Sequence, residues 1–318
     1  MSSGPVWLLT DASMDAHHAP GHPERPDRRE AAAGGVRDAA GHRLREVSCE
    51  PATAAEVGAI HTAAYVALLG EMDRQGGGWL DPDTYLAPGS VAAAQLAAGA
   101  TLQAARAVVD GAAEVAFAVV RPPGHHAAAG RGSGFCLFNN VAIAVAGLRA
   151  DGRARRIAVI DWDVHHGDGT QAIFDADAAL CYASTHQSPL YPGTGAVAER
   201  GSGQAVGTKH NRPLLPGAGD DEFVDTWVDD LLPKVAAFAP EAILVSAGYD
   251  AHRADPLAHL EVTEAGYGAV ATAIGALSRR LELRGIALAL EGGYDLDALR
   301  ASAAATVNGL IAGRAASS

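Results

Sequence analysis

Apolar residues along this chain follow two alternating patterns. Short apolar runs rich in β-branched side chains, at 6–10, 115–120, 157–161, 179–184, 242–247 and 286–290, predict strands. Longer segments at 91–110, 139–150, 220–238 and 263–283 have apolar positions recurring near helical spacing and predict helices. The alternation of the two is that of βα units around a mainly parallel sheet. Gly and Pro gather at 75–89 and 191–219, which predicts loops there. No internal repeat is visible, and the only biased segment is the alanine-rich stretch after Leu299. A single domain over 1–318 is expected.

Composition supports a large core and narrows the partners. The 318 residues are 48% hydrophobic and 19% charged. The start, Met1-Ser2-Ser3-Gly4-Pro5, has no basic leader pattern, and the apolar stretch 91–105 is interrupted by Gln95, Gly99 and Gln103. Neither a signal peptide nor a membrane partner is expected, and cytoplasmic residence follows. Cys49, Cys136 and Cys181 make no CxxC pair, so any metal must be held by oxygen and imidazole. A formal charge of −13 disfavours nucleic acid as a partner. It suits substrates that carry positive charge, and it serves solubility equally well.

The chemistry-bearing residues fall just after predicted strands, where open parallel sheets bind ligands. His125-His126 follow 115–120, the block Asp161-Trp162-Asp163-Val164-His165-His166-Gly167-Asp168 follows 157–160, Asp250 follows 242–247, and Tyr294 follows 286–290. Asp163 and His165, two apart, close with Asp250 into two carboxylates and one imidazole. That set leaves positions open for water and a carbonyl, as a catalytic Zn2+ or Fe2+ site requires. Alone, an Asp-x-His reads as a loop turn. His125 and His126 are suited to proton exchange near neutral pH, with Asp161 and Asp168 as carboxylate partners that fix their tautomers. A structural turn is the plainer reading of the tandem. Tyr294, in a glycine-hinged loop, could donate to a developing oxyanion, although such a tyrosine by itself is more often packed.

Other residues carry less. Phe135 and Tyr191 read as walls of a substrate channel or as ordinary core. Ser184 and Thr185, with carbonyls around Asp161 to His165, could hold a monovalent cation. His17, His18, His210 and His259 are most simply solvent-exposed. The signatures of serine hydrolases, zincins, P-loop proteins and dinucleotide-binding dehydrogenases are absent.

These residues, with the motifs around them, resemble the histone deacetylase and acetylpolyamine amidohydrolase superfamily, specifically its class II-like bacterial branch. The resemblance runs from His22-Pro23-Glu24-Arg25-Pro26-Asp27-Arg28 to Glu291-Gly292-Gly293-Tyr294. It takes in Arg121-Pro122-Pro123-Gly124-His125-His126, Gly134-Phe135-Cys136-Leu137-Phe138-Asn139-Asn140, Tyr191-Pro192-Gly193-Thr194-Gly195 and Ser246-Ala247-Gly248-Tyr249-Asp250. It implies an arginase/deacetylase-like α/β fold with a central eight-stranded, mainly parallel sheet, and one Zn2+ on Asp163, His165 and Asp250. By the same carry-over, His126 with Asp168 is the main general base and acid, His125 with Asp161 assists, and Tyr294 polarises the acyl oxygen. Gly134, Phe135, Tyr191 and Leu257 match the channel. K+ is expected near Asp161, Asp163, His165, Ser184 and Thr185, and Arg28 falls in the internal acetate-exit region.

Leu257, where polyamine-selective relatives carry a glutamate, favours acetyl-lysine or other linear N-acyl amines. Asp168 departs from the asparagine of many class II members. The expected activity is hydrolysis of an N-acetyl amide, as in an acetylated lysine peptide, to acetate and free amine. An acetylpolyamine or small acetylated amine is the rival substrate, and a silent acyl-group reader the rival of another class. An arginase-type hydrolase would need a second metal. The assembly is left open between a monomer and a homo-oligomer.

Overall fold

The computed structural model describes residues 4–316, so residues 1–3, on which the leader reading partly rests, lie outside it. The strands are β1 (Val6–Leu9), β2 (Leu44–Val47), β3 (Gly78–Trp79), β4 (Tyr85–Leu86), β5 (Val115–Ala118), β6 (Ile157–Asp161), β7 (Leu180–Gln187), β8 (Lys209–Leu214), β9 (Ala242–Ala247) and β10 (Ile286–Leu290). Eight of them form one sheet in the order β2-β1-β5-β10-β9-β6-β7-β8. Every neighbouring pair is parallel. β3 and β4 form a separate antiparallel hairpin.

The central strands are apolar throughout because helices cover both faces. On one face Val115, Phe117, Ile160, Val245, Ile286 and Leu288 pack with Val36, Tyr267, Val270, Leu299 and Val307 from the helices Asp27–Ala40, Glu264–Arg280 and Leu296–Ala315. Alternate residues of the same strands, Ala116, Ala118, Leu244, Ala287 and Ala289, face the helices Ser90–Asp110 and Asn140–Ala150. Small side chains there let the alanine-rich helix Ser90–Asp110 lie close to the sheet.

Several expectations need correction. Segment 191–219 is not all loop, because β8 lies in it, and segment 75–89 holds the β3–β4 hairpin. β2 (LREV) and β8 (KHNRPL) are the two edges of the sheet, where polar side chains and a proline are tolerated, so neither shows an apolar run. Helix 220–238 is one helical path with a wide π-type turn at Thr226–Leu231 ahead of Pro233. The alanine-rich tail belongs to the helix Leu296–Ala315. Among the described residues no helix is long and apolar enough to cross a membrane. His17 is buried, with Nδ1 2.7 Å from Ser90 Oγ and its ring stacked on Tyr85, and His210 is half-buried; His18 and His259 are exposed as expected.

Candidate active site

Four adjacent strands, β5, β10, β9 and β6, deliver the candidate residues from their carboxyl ends. Asp163, His165 and Asp250 converge there, with one ligand atom from each lying within 4.8 Å of the others. His165 Nδ1 lies 3.1 Å from Asp163 Oδ1 and 3.2 Å from Asp250 Oδ2. Backbone groups hold the outer oxygens: Gly292 N–H donates to Asp163 Oδ2 at 2.8 Å and Val164 N–H to Asp250 Oδ1 at 2.9 Å. Gly292 admits no side chain, since a Cβ there would stand 2.0 Å from Asp250 Oδ2 and 2.6 Å from Asp163 Oδ2.

This cluster fits a divalent cation. Asp250 Oδ2 is buried with no aligned hydrogen-bond donor, although His165 Nδ1 lies 3.2 Å away, an arrangement that is costly unless a positive centre faces it. Burial raises the Asp250 pKa, and the charge of Asp163 adds to the shift. At His165 burial opposes the charged form, yet the neighbouring carboxylates of Asp163 and Asp250 raise its pKa to about 10.

Beside the cluster, two His–Asp pairs are formed. His125 Nδ1 is 3.1 Å from Asp161 Oδ2, which also accepts the Tyr182 hydroxyl at 2.9 Å. His126 Nδ1 is 2.8 Å from Asp168 Oδ1, and Arg131 donates to Asp168 Oδ2 at 3.1 Å. A carboxylate at Nδ1 keeps the proton there and leaves Nε2 of His126 free, while His125 Nε2 lies 3.7 Å from Asp163 Oδ1. Burial opposes a charge on His125, but Asp163 and Asp161 outweigh it and hold its pKa well above the ordinary value. Burial and the charge of His125 lower His126 to about 3, against the pull of Asp168.

A cleft of about 240 Å³ opens onto these groups. All four expected channel residues, Gly134, Phe135, Tyr191 and Leu257, line it, as do His125, His126, Asp163, His165 and Tyr294. Gly134 has φ +54°, and a Cβ there would meet His126 Cδ2 at 2.4 Å. Phe135 also sits in the left-handed region at φ +68°, with its N–H bonded to Thr84 Oγ1 at 3.1 Å and its ring edge-on to Tyr294. Burial raises the Tyr294 pKa well above the ordinary tyrosine value, although Arg28 works the other way. Arg28 lies beneath that ring, 4.7 Å from its centroid, and is fully buried with Glu24 and the carbonyls of Gly293 and Glu291 as partners.

Of the residues expected near a monovalent cation, Asp161 and Ser184 are paired across β6 and β7. Ser184 Oγ is 3.0 Å from His186 Nδ1, and Thr185 Oγ1 accepts Trp227 Nε1–H at 3.0 Å.

Sequence reasoning missed three supports. Glu291 is a buried carboxylate that accepts Gly124 N–H at 2.6 Å and His125 N–H at 3.1 Å, fixing the histidine tandem on the sheet. Burial pushes it up to about 7. Tyr182 and Thr84 act through single hydroxyls. Their neighbours in sequence gave no sign of it; the motif around Glu291 was visible but its role was not.

Comparison with known proteins agrees with this geometry. A histone deacetylase domain model matches residues 22–310. Probable deacetylases of Methanothermobacter thermautotrophicus and Archaeoglobus fulgidus are 42% and 41% identical over 95% and 88% of this chain, which spans 90% and 78% of theirs. Histone deacetylase 15 of Arabidopsis thaliana is 38% identical over 91% of the chain, which spans only 53% of that longer protein. The crystal structure of the HDA15 HD domain superposes with a TM-score of 0.91 at 36% identity, covering 98% of this chain and 89% of that one. With the sheet, the cluster and the matched segment in agreement, the chain belongs to the histone deacetylase family, whose domain is that of a metal-dependent amidohydrolase.

Proposed function

We propose that this protein is a class II-like, zinc-dependent deacetylase that hydrolyses the N-acetyl amide of acetyl-lysine or a similar linear acyl amine, releasing acetate and free amine. The observation that carries the reading is one cleft with a metal-ligand cluster, two carboxylate-paired imidazoles and a buried phenol at its floor, and apolar walls above. A zinc ion held by Asp163, His165 and Asp250 would polarise the acyl carbonyl and make water acidic enough to react at neutral pH; Fe2+ suits the same donors.

The remaining work falls to the chain itself. Nε2 of His126, free because Nδ1 is committed to Asp168, takes the proton of the attacking water and then returns it to the leaving amine nitrogen. His125, anchored by Asp161, assists electrostatically and orients that water. Tyr294 donates its hydroxyl proton to the oxyanion that develops from the carbonyl. Phe135, Tyr191 and Leu257 enclose the unbranched linker and exclude water. Oxygens of Asp161, Asp163, His165, Ser184 and Thr185 would hold a K+, which would supply positive charge next to the buried carboxylates Asp161 and Asp163.

A panel comparing acetyl-lysine peptide with acetylputrescine and acetylspermidine by kcat/KM tests the substrate. The peptide should be preferred, since the wall position 257 carries leucine, which leaves the exposed Asp83 as the acidic side chain at the rim of the cleft. A preference for either polyamine would overturn that choice, and absence of turnover on all of them in zinc-loaded protein would overturn the activity.

A further inference from the structure

Asp255 stands out among the buried acidic residues of the cleft region. It is 7% exposed and has no Lys, Arg or His within ion-pair distance among the described residues, a costly state for a carboxylate. Its two oxygens go to two backbone N–H groups. Oδ2 accepts Tyr294 N–H at 2.7 Å, and Oδ1 accepts Leu257 N–H at 3.0 Å. Tyr294 and Leu257 both line the cleft, one at its floor and one at its wall.

The two segments joined in this way are otherwise tied on either side of the Tyr294 amide: Arg28 donates to the Glu291 and Gly293 carbonyls, Gly292 N–H donates to Asp163 Oδ2, and in the Asp255 loop Arg253 N–H donates to the Val262 carbonyl. Residues 291–295 run between β10 and the helix Leu296–Ala315 without regular structure, and Gly293 takes φ +116°. Upstream the stretch is tied to Tyr249, whose N–H donates to the Gly292 carbonyl at 3.0 Å. Downstream Asp295 caps the helix by accepting Ala298 N–H at 2.8 Å. On the peptide that joins Gly293 to Tyr294, Arg28 holds the carbonyl and Asp255 holds the N–H, so Asp255 is the tie that joins this peptide to the loop bearing Asp250. The loop 250–257 that carries Asp255 also carries the ligand Asp250 at its start, so one short segment sets metal ligand, phenol and wall together.

We propose that Asp255 is a positioning residue that clamps the backbone of Tyr294 to the loop bearing Asp250 and Leu257 and so sets the aim of the phenol. The assignment rests on the proposed deacetylase reading for its kinetic consequence, but not for its structural one. Asparagine has the same shape and only one oxygen, so Asp255→Asn can satisfy one of the two N–H groups and sets an NH2 against the other.

The structural consequence is read by hydrogen exchange, which requires no turnover. In the wild-type protein the Tyr294 amide should exchange at least tenfold more slowly than an unstructured peptide, and in Asp255→Asn the 291–296 segment should exchange at least tenfold faster than in the wild type, with bound zinc unchanged. An unprotected Tyr294 amide in the wild type overturns the clamp even if no variant folds. Kinetically, Asp255→Asn should lower kcat about tenfold or more with little change in KM, because a small displacement of an aimed group is expensive. The loss should shrink to less than about twofold in a Tyr294→Phe background, where no phenol is left to aim. Losses that multiply in the double variant overturn the positioning role. Normal exchange behaviour with no deacetylase turnover in the wild type would leave the clamp standing and defeat the proposed function instead.

Discussion

Burial raises the Tyr294 pKa above the ordinary tyrosine value against the opposing charge of Arg28, with Asp250 and Asp163 adding to the rise, so the phenol is a hydrogen-bond donor at neutral pH. Tyr294→Phe removes that donor without changing the packing against Phe135 and Arg28. Turnover of an acetyl-lysine substrate should fall by roughly 10²–10³-fold. An unaltered kcat would take Tyr294 out of the mechanism. At this scale the sequence was informative because the donors come in dense motifs: Asp163 and His165 are two apart, and His125 and His126 are adjacent. It was uninformative where a role depends on a partner distant in the chain. Glu291 reaches back to Gly124, Asp255 forward to Tyr294, and Thr84 across to Phe135, and no local pattern records those meetings. His17 was misplaced for the same reason, since its burial is set by Tyr85 and Ser90.

The helix Asn140–Ala150 shows how an element places the site. Asn139 caps it by accepting Ala142 N–H at 2.9 Å, and its amide also donates to the Ala127 carbonyl and to Thr170 Oγ1, both at 3.0 Å. One side chain therefore starts the helix and ties down the segment after His126. Asn139→Ala should cost about 1–2 kcal/mol from the cap alone. Denaturant titration checks this, and an unchanged midpoint would contradict it. Central elements were legible because burial on both faces demands continuous apolar runs, as in IAVID of β6 and AILVSA of β9. The edges β2 and β8 were not, since solvent relaxes that demand. β7 was recognised only in its apolar half; its last residues, Thr185, His186 and Gln187, are polar yet buried, held by hydrogen bonds that composition does not reveal.

For the whole molecule, buried neutral histidines set the acid limit of stability. His61 Nε2 accepts Asn139 N–H at 2.9 Å while Nδ1 faces the Ala128 carbonyl at 3.1 Å, so the neutral ring is fully used. Burial is the main reason that His61 and His17 each fall from 6.5 to about 4. Below pH 6.5 the unfolded chain takes up protons that the folded protein refuses until about pH 4, so stability is complete above that window and is lost across it as pH falls. The loss approaches ~1.4 kcal/mol per pH unit for each histidine. A His61→Gln variant should be less stable than the wild type at pH 7.5 but lose less between pH 6.5 and 4. Equal losses in both proteins would remove His61 from this account.

On the proposed function, Asp163, His165 and Asp250, brought together from the ends of β6 and β9, hold one catalytic cation. Zinc content measured alongside turnover tests it most directly, in the wild type before and after chelation and in Asp250→Ala. The wild-type chain should hold one zinc and lose turnover on chelation with recovery on adding zinc back, and Asp250→Ala should be folded, zinc-free and inactive. A full complement of zinc in Asp250→Ala, or turnover that survives chelation, would contradict it.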